Sequence, residues 1–215
     1  MLLVLICYLS TIAYSSDEST KEKLVIGARI GPAIPSAEIA NVYNILQNND
    51  VSTAYETAAS LGYTLTANAR IGLSDNFSLS GGISFVEFPG QEMKLTDSLG
   101  HRYDLTTSTI FIPITAGFSW LPFHSILVPI IHAEGLLNYR KSIVSDGNIV
   151  SDLLNPGMPV EPEATRLGAQ IGATLEIDLG IRPQIDVTYV FSNLVGKQPG
   201  ELDKNYLTIS VGIIF

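Results

Sequence analysis

One cysteine occurs in 215 residues, Cys7, and it lies inside an N-terminal apolar run. A mature chain without thiols has no disulfide framework and no metal site built on cysteine. Charged residues make up only 15% against 46% hydrophobic. Yet beyond the N-terminal segment nothing approaches the roughly 18 continuous apolar residues that signal a spanning helix. Positive charge is also scarce: 12 Lys and Arg face 21 Asp and Glu, a net −9. That balance argues against nucleic acid as a partner, which rewards basic surfaces. A Gly-rich phosphate loop, an H-E-x-x-H pair and a G-x-S-x-G elbow are all missing. The sequence therefore points to no cofactor and no catalytic class. A hydrophobic chain without a hydrophobic run is what strict alternation produces.

Alternation is plainest at the C-terminus. In YLTISVGIIF, Leu207, Ile209, Val211, Ile213 and Phe215 share one face, while Thr208, Ser210 and Gly212 line the other. A strand with one apolar and one polar face, closed by a terminal aromatic, is how outer-membrane barrels usually finish. Seven further segments alternate: Leu24 to Gly31, Leu61 to Leu73, Phe77 to Glu87, Thr107 to Trp120, Ile126 to Tyr139, Thr165 to Ile177 and Ile181 to Phe191. The expected fold is all-β, an eight-stranded antiparallel up-and-down transmembrane barrel.

Connections between these segments alternate in length. Ser74-Asp75-Asn76, a Leu-Pro-Phe-His-Ser stretch and Asp178-Leu179-Gly180 are short; Pro32 to Ser60, Phe88 to Thr106, Arg140 to Ala164 and Ser192 to Asn205 are long. Short periplasmic turns and long extracellular loops are the asymmetry of bacterial barrels, and both termini fall on the short-turn side. Residues 1–16 read as a secretory signal with an A-x-S cleavage site, although no Lys or Arg precedes the apolar run. Residues 17–215 then form one barrel domain located in the cell outer membrane. In the first long loop, Ser36 as N-cap with Ile39, Val42, Tyr43 and Leu46 at helical spacing predicts a short helix. Asp146-Gly147-Asn148, between Ser142-Ile143-Val144 and Ile149-Val150-Ser151, reads as a hairpin tip.

The polar face carries Arg29, Arg70, Glu134, Arg166, Glu176, Arg182 and Asp186 within strands. In an eight-stranded barrel the interior is just wide enough for side chains to fill, so these charges are expected to pair there. A three-residue Asp178-Leu179-Gly180 turn would set Ile177 against Ile181, Glu176 against Arg182 and Gly172 against Asp186. On the apolar face, Tyr63, Phe85, Tyr139, Tyr189 and Phe191 fall toward the long loops; Phe77, Phe118, Trp120 and Phe215 fall toward the short turns. From Tyr63 to Leu73 is about 33 Å of strand, or roughly 25 Å when tilted, which is the height of an apolar band between aromatic girdles. His132, Glu134 and Asn138 share one face, but no Ser accompanies them in a catalytic setting, and a satisfied lumen histidine is the expected reading.

In strand pattern, loop asymmetry and terminal Phe, the chain resembles the small eight-stranded outer-membrane barrels, in particular the PorT-like outer membrane protein beta-barrel families. The resemblance covers nearly all of the mature chain and implies fold and location, with no shared catalytic residues. It also implies that barrel assembly machinery reads the C-terminal end. Pro113 departs from the pattern by sitting mid-strand, where a bulge is expected. The functional expectation is a non-enzymatic barrel whose loops meet lipopolysaccharide, a protein partner or a host surface. The alternatives are a PorT-like accessory role in secretion and a membrane-embedded lipid- or peptide-modifying enzyme.

Overall fold

The computed structural model describes residues 24–36, 45–48, 51–55, 61–97, 102–123, 126–146, 164–178, 181–197 and 203–215. The expected signal segment and most of the expected helix at Ser36 to Leu46 lie outside them; Leu46 itself is in a strand. Among the described residues there are ten strands and no helix. They are β1 (Val25–Pro35), β2 (Ile45–Asn48), β3 (Val51–Tyr55), β4 (Gly62–Gly72) and β5 (Phe77–Asp97), then β6 (Arg102–Trp120), β7 (Leu127–Asp146), β8 (Ala164–Ile177), β9 (Arg182–Val195) and β10 (Asn205–Ile214). The hydrogen-bonded order runs β5-β4-β1-β10-β9-β8-β7-β6, and β6 returns to β5. Eight antiparallel strands thus close a barrel, leaving no edge within the ring. The first and last strands are joined to the chain's final residue. Ile26 N–H donates to the Phe215 carbonyl at 3.2 Å, and Phe215 N–H donates to the Ile26 carbonyl at 2.8 Å.

Outward and inward residues follow the period of two. Large apolar side chains such as Leu65, Ile83, Ile114, Ile171 and Val211 are exposed on the outside. The inward positions hold Arg70, Ser78, Ser119, His132, Glu176, Asp186 and Thr188, all buried. A protein with apolar residues outside and ionised ones inside is the inverse of a soluble barrel. It suits hydrocarbon, where a closed ladder leaves no backbone polar group unsatisfied.

The height of the outer band is set by where charge returns to it. Tyr63, Glu87, Ile110 and Lys141 lie in one cross-strand row at the loop end. There the Tyr63 hydroxyl donates to the Glu87 carboxylate. Phe77 pairs with Trp120, and Trp120 with Ile131, at the turn end. Between the two rows lies about 33 Å of strand, roughly 25 Å when tilted, matching a bilayer's apolar band.

The turn-end boundaries of the strands fall within a residue or so of the expected ones, but several strands run much further at the loop end. β5 has 21 residues, β6 has 19 and β7 has 20. At 3.3 Å per residue β5 is about 70 Å long, roughly twice a tilted crossing. The stretch Phe88 to Thr106, expected as a loop, is mostly a ladder: Gln91 pairs with Thr107 and Thr96 with Arg102, after a register shift between Phe88 and Gln91. β3 adds to the upper part of β5 (Tyr55 with Met93, Val51 with Asp97), and β2 adds to β3. Ser142 and Val144 pair with Thr109 and Thr107 of β6; the expected hairpin partner Ile149 to Ser151 lies outside the described residues. Among the described residues, one side of the barrel wall therefore rises well above the other.

Pro113 produces no bulge. The β5–β6 register is the same at Ile83–Ile114 and Val86–Phe111 on either side of it, and Pro113 faces Asn138 of β7 in unbroken register. Its missing N–H is accommodated by a gap in the β5–β6 ladder instead of an inserted residue.

Candidate functional site

The polar side chains converge on the middle of the lumen in three clusters, one of which spans the barrel. Arg70 on β4 meets Glu176 on β8, the far wall, through Nη1 to Oε1 at 2.6 Å and Nη2 to Oε2 at 3.1 Å. Both side chains are buried, so this is a two-pronged, charge-assisted contact in a poorly hydrated place. Arg29 Nη1 sits 2.6 Å from Asp186 Oδ2. Asp186 also accepts from Thr174 at 2.7 Å and Thr188 at 2.8 Å, and lies 3.0 Å from His132 Nε2. Glu134 accepts from Ser80 at 2.6 Å and from Gln170 at 2.7 Å.

Two side-chain contacts pass over a glycine on the strand between their partners, Ser80 with Glu134 and His132 with Thr188. Ser80, Gly117 and Glu134 form one row, and His132, Gly172 and Thr188 another. A Cβ at Gly172 would stand 2.4 Å from Thr188 Oγ1 and 2.6 Å from His132 Nε2. At Gly117 it would meet Glu134 Cγ at 2.9 Å and the Ala133 carbonyl at 2.2 Å. Arg29 faces Gly212, which faces Gln184, and its Cγ passes 2.7 Å from where a Cβ on Gly212 would be. These glycines are absences that let side chains two strands apart touch.

The expected register at the β8–β9 turn is corrected. Glu176 faces Gln184 and Thr174 faces Asp186; Gly172 faces Thr188. The pattern of alternation fixes only which face a residue occupies, and a slip of two residues leaves every face unchanged. Arg182 still reaches Glu176, but at 3.8 Å and from a more exposed position. Arg70 is the principal partner. Arg166 stands apart from the mid-lumen charges: it faces Asn138 near the loop end, and its Nη1 donates to the Thr165 carbonyl.

His132 is the one group here with nucleophile-activating chemistry. It approaches both Asp186 and Thr188 through the same atom, Nε2. A general base needs one ring nitrogen for its orienting carboxylate and the other for the nucleophile. With both partners on Nε2, the cluster cannot relay a proton between them. Among the described residues no group of three His, Cys, Asp or Glu side chains could hold a metal ion.

Two apolar clusters are also buried in the lumen, the loop-side one beside buried Asn138, Arg140 and Ser192. Ala33, Val86, Phe88, Phe111, Leu136, Val190 and Tyr206 form a buried cluster toward the loop end. The rings of Phe88, Phe111 and Tyr206 lie 5.5 to 5.9 Å apart. Leu121, Val128 and Ile130 form a second cluster toward the turns. Sequence reasoning missed both. The available signal was a large apolar residue at an inward position, as with Phe111 between Ile110 and Ile112 or Tyr206 beside Leu207.

The outward aromatics sit as two groups. Phe77, Phe118, Trp120 and Phe215 are exposed near the turns, joined by Phe123. Toward the loops, Tyr63 and Phe85 stack with ring centroids 6.1 Å apart, and Tyr189 meets Phe191 edge-on at 4.8 Å. Tyr139 faces Ile112 and Thr165 at the same level.

No family model matches the sequence, and no curated protein matches it. Solved structures similar to it include Ail, the attachment invasion locus protein of Yersinia pestis, in complex with the heparin analogue sucrose octasulfate. That match has 12% identity, covers 90% of this chain and 99% of that one, and has a TM-score of 0.43. Neisserial surface protein A is similar at 10% identity over 93% of this chain and 98% of that one, TM-score 0.46. The outer membrane protein OprG from Pseudomonas aeruginosa matches at 11% identity over 90% and 96%, TM-score 0.43. The likeness is one of fold. A closed eight-stranded barrel with an apolar exterior and an ion-paired interior is an outer-membrane protein.

Proposed function

We propose that this barrel is a non-enzymatic membrane anchor that works through its loop end, with the short turns in the periplasm and the tall side of the wall outside the cell. The observation that carries the reading is the division of labour along the strands. Within the membrane band the lumen is filled and cross-braced, so a large diffusion pore has no room. Beyond the band, β5, β6 and β7 continue as a sheet, and β2 and β3 widen it. A chain that spends so many ordered residues outside the bilayer presents a surface. Lipopolysaccharide is its immediate neighbour in the outer leaflet, and a protein partner or host surface is the further candidate. A PorT-like accessory role in secretion is the alternative reading.

The test separates surface from anchor. Replacing residues 89–108 by a two-residue turn removes the tall hairpin above the band. The shortened protein should still show heat-modifiable gel migration, the signature of a folded barrel. Cross-linking on intact cells should then lose the partners captured by the full-length chain. Retention of every partner by a folded, shortened barrel would overturn the proposal, and recovery of secretion components with the full-length chain would favour the narrower role.

A further inference from the structure

The two faces of the barrel wall exchange character above the membrane band. Within the band, apolar residues lie outside and polar ones inside; the tall part of β5 and β6 reverses this. Thr107 falls on the same face of β6 as the inward, buried Phe111, and Gln91 pairs with Thr107. Met93 and Leu95 of β5 therefore occupy inward positions, paired with Leu105 and Tyr103 of β6. Tyr55 of β3 pairs with Met93, and Val144 of β7 pairs with Thr107, on that same face. Among the described inward positions of this tall sheet, charge is confined to Asp97 at the upper end. The outward positions hold Glu92, Lys94, Arg102 and Asp104, with Lys94 paired to Asp104. An outer face carrying both signs of charge suits water, and an apolar inner face does not. From Gln91 to Asp97 is about 20 Å and four strands span about 15 Å, so the apolar patch covers roughly 300 Å². Contiguous apolar patches of that size are often functional.

The rim below this face is basic. Arg140 faces Phe111, Arg166 faces Asn138, and buried Lys204 immediately precedes β10, two residues from Tyr206. The whole chain has only 12 Lys and Arg and a net charge of −9, so three cations at one rim are a concentration. Arg140 and Lys204 are buried and Arg166 is partly exposed; each is held by contacts within the chain. Beside them, Asn138 Oδ1 and the Tyr206 hydroxyl are buried with no hydrogen-bond partner among the described residues. Guanidinium, ammonium and hydroxyl groups are donors that suit carboxylates.

Taking the loop end as the working surface proposed above, we infer that the mouth of the barrel receives an extended polypeptide segment that is both apolar and acidic. Its apolar residues lie against the inward face of β3, β5, β6 and β7, and its carboxylates approach the rim of Arg140, Arg166 and Lys204. About six extended residues match the 20 Å height of the patch, and the sign of the rim selects acidic over basic segments. Lipopolysaccharide does not fit this face, because the wall with its charged outer face stands between the patch and the bilayer.

The experiment places the photo-crosslinker p-benzoylphenylalanine at Met93 or Leu105 on the inner face, and at Lys94 or Asp104 on the outer face, in intact cells. Heat-modifiable migration verifies that each variant is folded. The inner positions should give adducts to a polypeptide, and mass spectrometry should place the label in a segment rich in apolar and acidic residues. Arg166→Glu should reduce the yield of these adducts about tenfold, while Lys94→Glu should leave it unchanged. Should Arg166→Glu not migrate as a folded barrel, Arg166→Gln makes the same comparison with a smaller expected loss. Inner-face adducts to lipopolysaccharide, to residues 147–163 of the same chain or to a basic segment overturn the inference, as does full adduct yield from the folded Arg166 variant. Polypeptide adducts from the outer positions alone overturn it and leave the loop-end reading intact. No adduct from any of the four positions overturns both.

Discussion

Breaking the Arg70–Glu176 brace should destabilise the barrel far more than breaking the Arg182–Glu176 contact, although both join an arginine to the same carboxylate. Glu176 is completely buried and Arg70 nearly so, and two short contacts join them. Arg70→Gln leaves the Glu176 carboxylate in the lumen with the longer Arg182 contact to compensate it. Stranding a buried charge in this way costs about 3–5 kcal/mol, and less where water enters. Arg182 Nη1 lies 3.8 Å from Glu176 Oε2, and its side chain is the more exposed. Its replacement by Gln leaves the two-pronged pair intact and should cost about 1 kcal/mol or less, in the range of partly exposed ion pairs.

Urea unfolding of barrel refolded into lipid vesicles measures both, with Trp120, the single tryptophan, as the reporter. A double-mutant cycle of Arg70→Gln and Glu176→Gln should return a coupling well above 1 kcal/mol, because the neutral pair loses the attraction but strands nothing. The same cycle with Arg182→Gln should return a small coupling. Equal couplings would place the main brace along the β8–β9 hairpin instead of across the lumen. A negligible coupling for Arg70 would mean that the pair is solvated.

Three further outcomes follow from the same geometry. Gly172→Ala puts a methyl 2.4 Å from Thr188 Oγ1, so it should cost about 1–3 kcal/mol as an overpacked site; Thr188→Ala in the same chain should recover part of that, and no recovery would locate the strain elsewhere. Spin labels on Ala67→Cys and Ile171→Cys should be relaxed by oxygen dissolved in hydrocarbon, while those on Thr66→Cys and Gln170→Cys should be shielded; equal oxygen accessibility at all four would reject the assigned facing. Phe215→Ala keeps the two backbone bonds to Ile26 but removes the terminal ring, so outer-membrane levels in cells should fall more than the stability of refolded protein, and unchanged levels would argue against the ring as an assembly signal.

Strand identity and facing were legible because hydrocarbon enforces them: every outward residue between the Phe77–Trp120 row and the Tyr63–Glu87 row must be apolar or small. Above that band the constraint lapses. Lys141 is exposed in a strand that continues to Asp146, and alternation no longer marks the strand although the ladder persists. This is why the Phe88 to Thr106 stretch reads as a loop in the sequence and forms a hairpin in the molecule. Register was illegible for a related reason. Period two is blind to a slip of two residues, so Arg182 and Gln184 were equally acceptable opposite Glu176. What settles the choice lies on the other wall, where Arg70 meets Glu176 from a position more than a hundred residues earlier in the chain.

The interior obeys a rule that no single strand reveals. An inward glycine such as Gly172 looks like a gap in its own strand's polar face, and an inward Phe111 looks like an error in its own strand's alternation. Each is explained only by residues on other strands. The glycine makes room for His132 and Thr188 to approach, and the phenylalanine packs on Phe88 and Tyr206. The lumen is thus specified by rows running around the barrel, while the sequence is written along strands running through it. The membrane band, by contrast, acts on each strand separately. Exterior features can therefore be read one segment at a time, and interior ones only after the ring has closed.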